Sequence, residues 1–248
     1  MKQIILAAGY ATRLYPLTEN TPKPLLPVAG VPMLEHVLAS SGAIGHIDRT
    51  LVVTNNKFAG HFQEWLAGYQ EAHPDFNGAI INDGTTSNED RLGAIGDLQL
   101  VLEQESIDDD VLVIAGDNLF TGDLRGFGVR CRETNEPVLG LYDVGSKDES
   151  CKYGVVAVGD DDRLTSFEEK PTDPKSTLIG IALYYYPRAT LQEISRYIKE
   201  GNNPDQPGRL VQWLYPQQPV YTWTVPGDWL DIGSKETLEA ANTLFTAR

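Results

Sequence analysis

The 248-residue chain is 41% hydrophobic and carries 35 acidic against 20 basic residues, a formal charge of −15. That balance excludes a broad nucleic-acid surface, which needs a basic stripe along the phosphate backbone, and no apolar run reaches membrane-spanning length. Two cysteines, Cys131 and Cys151, are too few for a disulfide scaffold or a zinc cluster; Lys2 leads at once into strand-like sequence, so a cytoplasmic protein is expected.

The first predicted element is a buried parallel strand, Ile4-Ile5-Leu6, which passes through Ala7-Ala8 into the small-residue turn Gly9 to Arg13. Small residues let backbone N–H groups approach a ligand, and the cations Arg13 and Lys23 suit phosphate oxygens. The stretch reads as a triphosphate-binding front end, with a plain strand–turn–helix bearing a surface arginine as the simpler alternative. Neither GxGxxG nor a glycine-rich loop ending in Gly-Lys-Ser/Thr is present, so dinucleotide and Walker-type sites are poorly supported.

Pro32 is expected in the first turn of a helix running to Ser40 or Ser41, with Gly42 as its stop. Thr50 to Thr54 reads as a short strand, Phe62, Trp65, Leu66 and Tyr69 fall at helix spacing, and Gly78 to Ile81 makes the next strand. A polar loop from Asn82 to Gly93 leads into a helix near Ala94 to Gln104, then strands Val111 to Ala115 and Leu139 to Tyr142. This alternation predicts an α/β fold, Rossmann-like, with a mostly parallel mixed sheet and helices on both faces. Ligand sites in such sheets collect where Gly9 and Gly116 follow their strands.

After about residue 143 the texture changes. Tyr153 to Val158 and Leu164 to Phe167 flank the acidic turn Asp160-Asp161-Asp162 as a hairpin. A strand at Ile179 to Tyr186, a helix from Pro187 to near Glu200, a loop from Gly201 to Gly208 and a helix at Arg209 to Leu214 follow. Val220 to Val225 is a further strand and Ser234 to Leu244 a closing helix. The expectation is one domain over 1–248, its nucleotide-binding part at about 1–142 and its acceptor-binding part at about 143–233. The aromatics Trp213, Tyr215, Tyr221 and Trp223 read as core rather than as an interface. The four histidines lack metal-site spacing, and no esterase-type nucleophile elbow is present.

Five ordered motifs then carry a resemblance: Leu6-Ala7-Ala8-Gly9-Tyr10-Ala11-Thr12-Arg13-Leu14, Pro22-Lys23-Pro24-Leu25-Leu26-Pro27-Val28, Gly116-Asp117-Asn118, Phe167-Glu168-Glu169-Lys170-Pro171 and Trp229-Leu230-Asp231-Ile232-Gly233. In this order they resemble the sugar-1-phosphate nucleotidylyltransferases, especially the glucose-1-phosphate thymidylyltransferase-like members. The resemblance implies Mg²⁺-dependent transfer of a nucleoside monophosphate from an NTP, dTTP or UTP favoured, to a sugar 1-phosphate, with pyrophosphate released. It implies that Leu6, Ala8, Gly9, Tyr10, Ala11, Thr12, Arg13, Asp83, Gly93 and Asp117 bind the nucleotide. Arg13 and Lys23 would carry the catalytic charge, and Asp117 and Asp231 would hold Mg²⁺, whose preference for carboxylate and phosphate oxygens suits them. Tyr153, Gly154, Glu169, Lys170 and Ile181 would face the acceptor.

Three departures bear on specificity. The glutamine usual before the base-reading glycine is replaced by Asn82-Asp83-Gly84-Thr85-Thr86-Ser87-Asn88, which weakens any preference for dTTP over UTP or CTP. Ala11 stands where the commoner pattern has a second glycine, so its backbone is expected to avoid a glycine-only conformation. Ala182 stands where many relatives have glycine. The longer carboxy-terminal extension of the classical thymidylyltransferases is not found, and monomer and homo-oligomer remain equally open. Two rival readings stay in play: cytidylyl transfer to phosphocholine or another phosphorylated alcohol, and a noncatalytic nucleotide-sugar-binding regulator.

Overall fold

The computed structural model describes residues 1–247. The chain opens with strand β1 (Lys2–Leu6), the 3-10 turns Thr12–Leu14 and Lys23–Leu25, and a two-residue ribbon of β2 (Pro27–Val28) and β3 (Val31–Pro32). Helix α1 (Met33–Ser41), β4 (Arg49–Thr54), α2 (Ala59–Ala72), β5 (Gly78–Asn82), α3 (Ala94–Gln104) and β6 (Val111–Ala115) complete the alternating part. Pro32 caps α1 from an extended conformation and pairs with Pro27, so it stands just outside the helix it was expected to begin.

Next come β7 (Asn118–Phe120), α4 (Arg125–Thr134), β8 (Val138–Asp143), α5 (Lys147–Ser150), β9 (Gly154–Val158), β10 (Leu164–Glu169) and β11 (Leu178–Tyr186). Helices α6 (Leu191–Lys199) and α7 (Gly208–Leu214), strands β12 (Tyr221–Thr224) and β13 (Trp229–Asp231), and α8 (Lys235–Thr246) finish the chain. A short 3-10 turn at Arg188–Thr190 separates Pro187 from α6. Ser234 caps α8 in a capping box with Thr237, satisfying its first amides.

Nine strands form the central sheet. Around β1 the pairs β1–β4, β1–β6 and β4–β5 are all parallel, whereas β11 runs antiparallel to β6, β8 and β9. Alternation along the strands sends side chains to two cores. Ile5, Val52, Leu112 and Ile114 meet α1, α2, α4 and α8 on one face, while Ile4, Leu51, Val53 and Val113 meet α3, α6 and α7 on the other. Burial on both faces explains the continuous branched runs of these strands.

Helix α4, RGFGVRCRET, buries only the narrow stripe Phe127, Gly128 and Cys131, which its charged and glycine-containing sequence masks. Its glycines instead permit contacts that any Cβ would block, Gly128 against the Ile44 backbone and Gly126 against the Trp223 indole. Tertiary packing overrides poor intrinsic propensity here. Half-buried Trp213, Tyr215, Tyr221 and Trp223 pack against the two cores, with Trp213 edge-on to Tyr197 and Trp223 edge-on to Phe127. No helix among the described residues is long and apolar enough to cross a membrane.

Candidate active site

Two cavities open at the carboxyl ends of the central strands. Leu6 and the Ala8–Leu14 turn, with Lys23, Asp83, Gly93 and Asp117, line the first. The second is lined by Tyr153, Gly154, Glu169, Lys170, Ile181 and Ala182 on the antiparallel side. Each residue that the resemblance assigned to nucleotide, metal, catalysis or acceptor lines one cavity or the other. Arg13, Asp117, Asp231 and Gly233 line both, so the cavities meet at one arginine and two carboxylates.

The meeting point is assembled by β7 and β13, whose antiparallel register sets Asp231 opposite Asn118. The Ile232 amide donates to the Asp117 carbonyl at 3.2 Å, tying the two acidic segments together. Lys23 reaches in from the proline-braced segment, donating to the Ile232 carbonyl at 2.6 Å and forming an ion pair with Asp117. Asn118 donates its side-chain amide to Asp117 Oδ1 at 3.0 Å and accepts the Trp229 indole N–H at 2.9 Å, which fixes the orientation of the Asp117 carboxylate. Burial, and then the neighbouring Asp117 charge, push Asp231 up to about 6, against the opposing pull of Lys23, Arg13 and Lys170. A buried carboxylate beside a second one is a fitting donor pair for a divalent cation completed by phosphate oxygens. Among the described residues no group of three or more acidic, histidine or cysteine side chains is disposed to hold a metal unaided.

In the opening turn Ala11 has φ 48° and ψ 40°. It is left-handed yet inside the small region open to residues with a Cβ, so it avoids the glycine-only conformations as expected. Its carbonyl accepts the Thr18 hydroxyl at 2.7 Å, holding the turn shut. Tyr10 and Thr85 hydroxyls lie 3.2 Å apart and link this turn to the loop after β5. That loop is organised by Asp90, whose carboxylate accepts the Thr86 and Ser87 amides and hydroxyls; these bonds hold its carboxyl below the usual range.

Gly93 has φ +80°, and a Cβ there would lie 2.7 Å from both the Pro204 carbonyl oxygen and the Asp205 Cα. Those two residues accept the Ile95 and Ala94 amides at the start of α3, so a loop from the later half closes one end of the first cavity. Arg91 pairs with Asp205 at 2.9 Å across the same junction. Asn88, Arg91, Asp97 and Asp205 line this end; the first two fall in the polar loop expected there from the sequence, whereas Asp97 and Asp205 were not singled out. Asp97 alone carried a usable signal: it falls on the apolar stripe of α3 with Ala94, Leu98 and Val101, where a carboxylate is out of place.

Around the second cavity Gly154 packs its Cα against the Phe167 ring, leaving no room for a side chain. Tyr153 stands edge-on to Trp229 with ring centroids 5.5 Å apart, and burial, then Asp231, raise its hydroxyl to about 12. Lys170 follows β10 at φ 49°, a strained setting for a residue with a side chain. Glu169 is raised by burial, an effect opposed by Lys170 and Arg209.

The mostly parallel mixed α/β sheet, with helices on both faces, is the fold of the nucleotidyltransferase structures on which the chain superposes. The sequence matches the family model "Nucleotidyl transferase" over residues 2–248, and the chain belongs to this family. It is 30% identical to the UTP–glucose-1-phosphate uridylyltransferase AglF of Haloferax volcanii, over 75% of this chain and 72% of that one. The glucose-1-phosphate thymidylyltransferase of Neisseria meningitidis is 29% identical over all of this chain and 84% of its own. The bifunctional protein GlmU of Methanocaldococcus jannaschii is 28% identical over 98% of this chain but 53% of its own, so the chain spans about half the length of that relative. Among solved structures, one from Bacillus anthracis named for glucose-1-phosphate thymidylyltransferase and bound to sucrose superposes with a TM-score of 0.85. It is 27% identical, with 100% of this chain and 96% of that one covered. A UDP-glucose pyrophosphorylase bound to UDP-glucose shares the fold at a TM-score of 0.82 and 19% identity, with 100% and 99% covered.

Proposed function

We propose that the protein transfers a nucleoside monophosphate from an NTP to a sugar 1-phosphate, releasing pyrophosphate. One observation carries this reading: the two cavities share Arg13, Asp117 and Asp231, so substrates seated in each would bring their phosphates together over the same charges. The named activities of the Haloferax and Neisseria relatives support the same substrate classes, with uridylyl or thymidylyl transfer favoured.

In this reading the Gly9–Arg13 turn cradles the triphosphate, Arg13 offsets charge on the departing pyrophosphate, and Lys23 offsets charge at the α-phosphate. Lys170 holds the acceptor phosphate, and Glu169, Tyr153 and the Gly154 and Ile181 backbone orient the sugar so that its phosphate oxygen lies in line with the α-phosphorus. That oxygen is already ionised near neutral pH, so no protein base is needed. Asp117 and Asp231 would hold Mg²⁺, which would neutralise phosphate charge as a Lewis acid.

The test is an activity screen of UTP, dTTP, CTP, GTP and ATP against glucose 1-phosphate, N-acetylglucosamine 1-phosphate and phosphocholine, with and without Mg²⁺. Sugar-nucleotide formation with stoichiometric pyrophosphate supports the reading. CDP-choline as the sole product would transfer the same machinery to a different acceptor, and ligand binding without pyrophosphate release would make the chain a noncatalytic binder.

A further inference from the structure

The far wall of the first cavity contains two carboxyl groups placed against each other. Asp83 follows β5; its Oδ1 accepts the Thr85 amide at 2.7 Å, whereas its Oδ2 is buried without a donor. Asp97, on the first turn of α3, is only 6% exposed, and its Oδ1 is likewise buried without a donor. Both line the cavity beside Gly93 and Ala94. Two ionised carboxylates here would oppose like charges and leave two buried acceptors unsatisfied. A single shared proton removes both penalties.

We propose that Asp97, sharing one proton with Asp83, is a specificity determinant of the nucleotide site. The proton bonds Asp97 to Asp83, and the oxygens left over accept an N–H from the edge of a nucleobase, imino or amino, while rejecting a ring nitrogen or carbonyl presented there. The pair also carries one negative charge instead of two beside a bound triphosphate. This inference rests on the NTP-binding reading above.

Burial, then the Asp83 charge and the Asp83 hydrogen bond, raise Asp97 to about 8, so it keeps its proton at neutral pH. The charged and titratable groups at this end of the cavity are Tyr10 on the opening turn, Arg91 on the loop after β5, and Asp205, with Glu89 and Asp90 of that loop near Tyr10. Arg91, the cation of this set, is already paired with Asp205 at 2.9 Å. The Tyr10 hydroxyl is itself raised, by burial and by Asp83, Asp90 and Glu89, against the lowering effect of its Thr85 hydrogen bond.

Calorimetric binding of UTP, dTTP, CTP, GTP and ATP between pH 6 and 9 tests the pair without turnover. For the preferred NTP, affinity of the natural protein should fall about tenfold from pH 7 to 9 as a group titrating near 8 empties. Asp97→Asn keeps a donor toward Asp83 and an acceptor toward the base; it should bind within about threefold of the natural protein at pH 7, with a flat profile to pH 9. Asp97→Leu should lose at least about tenfold at pH 7, and neither variant should change KM for the sugar 1-phosphate.

A second measurement needs no variant. Carboxyl ¹³C NMR of the natural protein should show one aspartate titrating near 8, and NTP should raise its midpoint. Protein stability gives the same sign. A carboxyl raised in the folded state favours folding below its ordinary value of 3.8 and loses that advantage as pH climbs toward 8. The melting temperature of Asp97→Asn relative to the natural protein should therefore climb over that interval and level off above it. An Asp97 that titrates near 4, or an Asn variant as impaired as Leu, overturns the proposal. Failure of the natural protein to bind any NTP at any pH would instead sink the proposed function itself.

Discussion

The two cavities of this molecule, which we assign to the nucleotide and to the acceptor, are built by opposite means. The first cavity sits on loops that leave parallel strands, held by side chain-to-backbone ties such as Thr18 to Ala11 and Asp90 to Thr86 and Ser87. The second lies on antiparallel strands, where Gly154 and Gly180 press against Phe167 and Lys170 directly follows β10. Loops supply many backbone donors for a triphosphate, whereas paired strands hold fewer groups more rigidly for a sugar. A single molecule can thereby vary base recognition and acceptor recognition separately, provided the shared acids at their junction stay in place.

The junction is where the largest effects are expected. Asp117→Asn and Asp231→Asn should each lower kcat by about a hundredfold or more, the scale of losing one charge-stabilising group in a transition state. Circular dichroism should remain that of the natural protein, because neither carboxylate carries a core contact. Mg²⁺ titrations at saturating substrates read the loss. Equal turnover in both variants would separate the two cavities functionally and dissolve the comparison drawn between them.

One step down lies the acceptor side. Lys170→Ala should raise KM for the sugar 1-phosphate roughly 10- to 100-fold, the worth of one charge-assisted hydrogen bond, with NTP affinity within about twofold. Gly208→Ala offers a companion test, since its Cβ would lie 2.8 Å from the Phe167 ring and against the Glu169 carboxylate. Displacing Glu169 should impair the acceptor by roughly tenfold and leave NTP binding alone. Parallel losses for both substrates in either variant would mean that the halves are coupled through the 204–208 loop, which touches both cavities.

Much of this arrangement was legible because its signals are local. The opening turn, the branched strands and the Gly116-Asp117-Asn118 segment announce themselves within a few residues. Juxtaposing Asp117 with Asp231 needed the family resemblance, since the β7–β13 pair that joins them is a short long-range ladder without a pattern of its own. Helix α4 was invisible because glycine-dependent packing, not periodicity, stabilises it. Asp205 was hidden in a Gly/Pro/Asn-rich loop whose partner, the start of α3, lies far away in sequence. Asp97 was detectable in principle as a charge on an apolar stripe, but what that charge meets depends on Asp83 across the cavity.

The smallest expected effect concerns Ala11. A left-handed backbone costs a residue with a Cβ about 1 kcal/mol relative to glycine, and Ala11 adopts it at φ 48°. Ala11→Gly relieves that strain but enlarges the entropy of the unfolded chain by about 0.4–1 kcal/mol, so the two nearly cancel. Denaturant unfolding should therefore shift by less than about 1 kcal/mol, while the turn loses its preset shape. If the loop side works by preorganised backbone donors, NTP affinity should drop by about two- to fivefold with acceptor KM unchanged. An unaltered NTP affinity would show that the Thr18 and Tyr10 ties alone hold the turn, and that the alanine marks a tolerated substitution rather than a device for shaping the phosphate cradle.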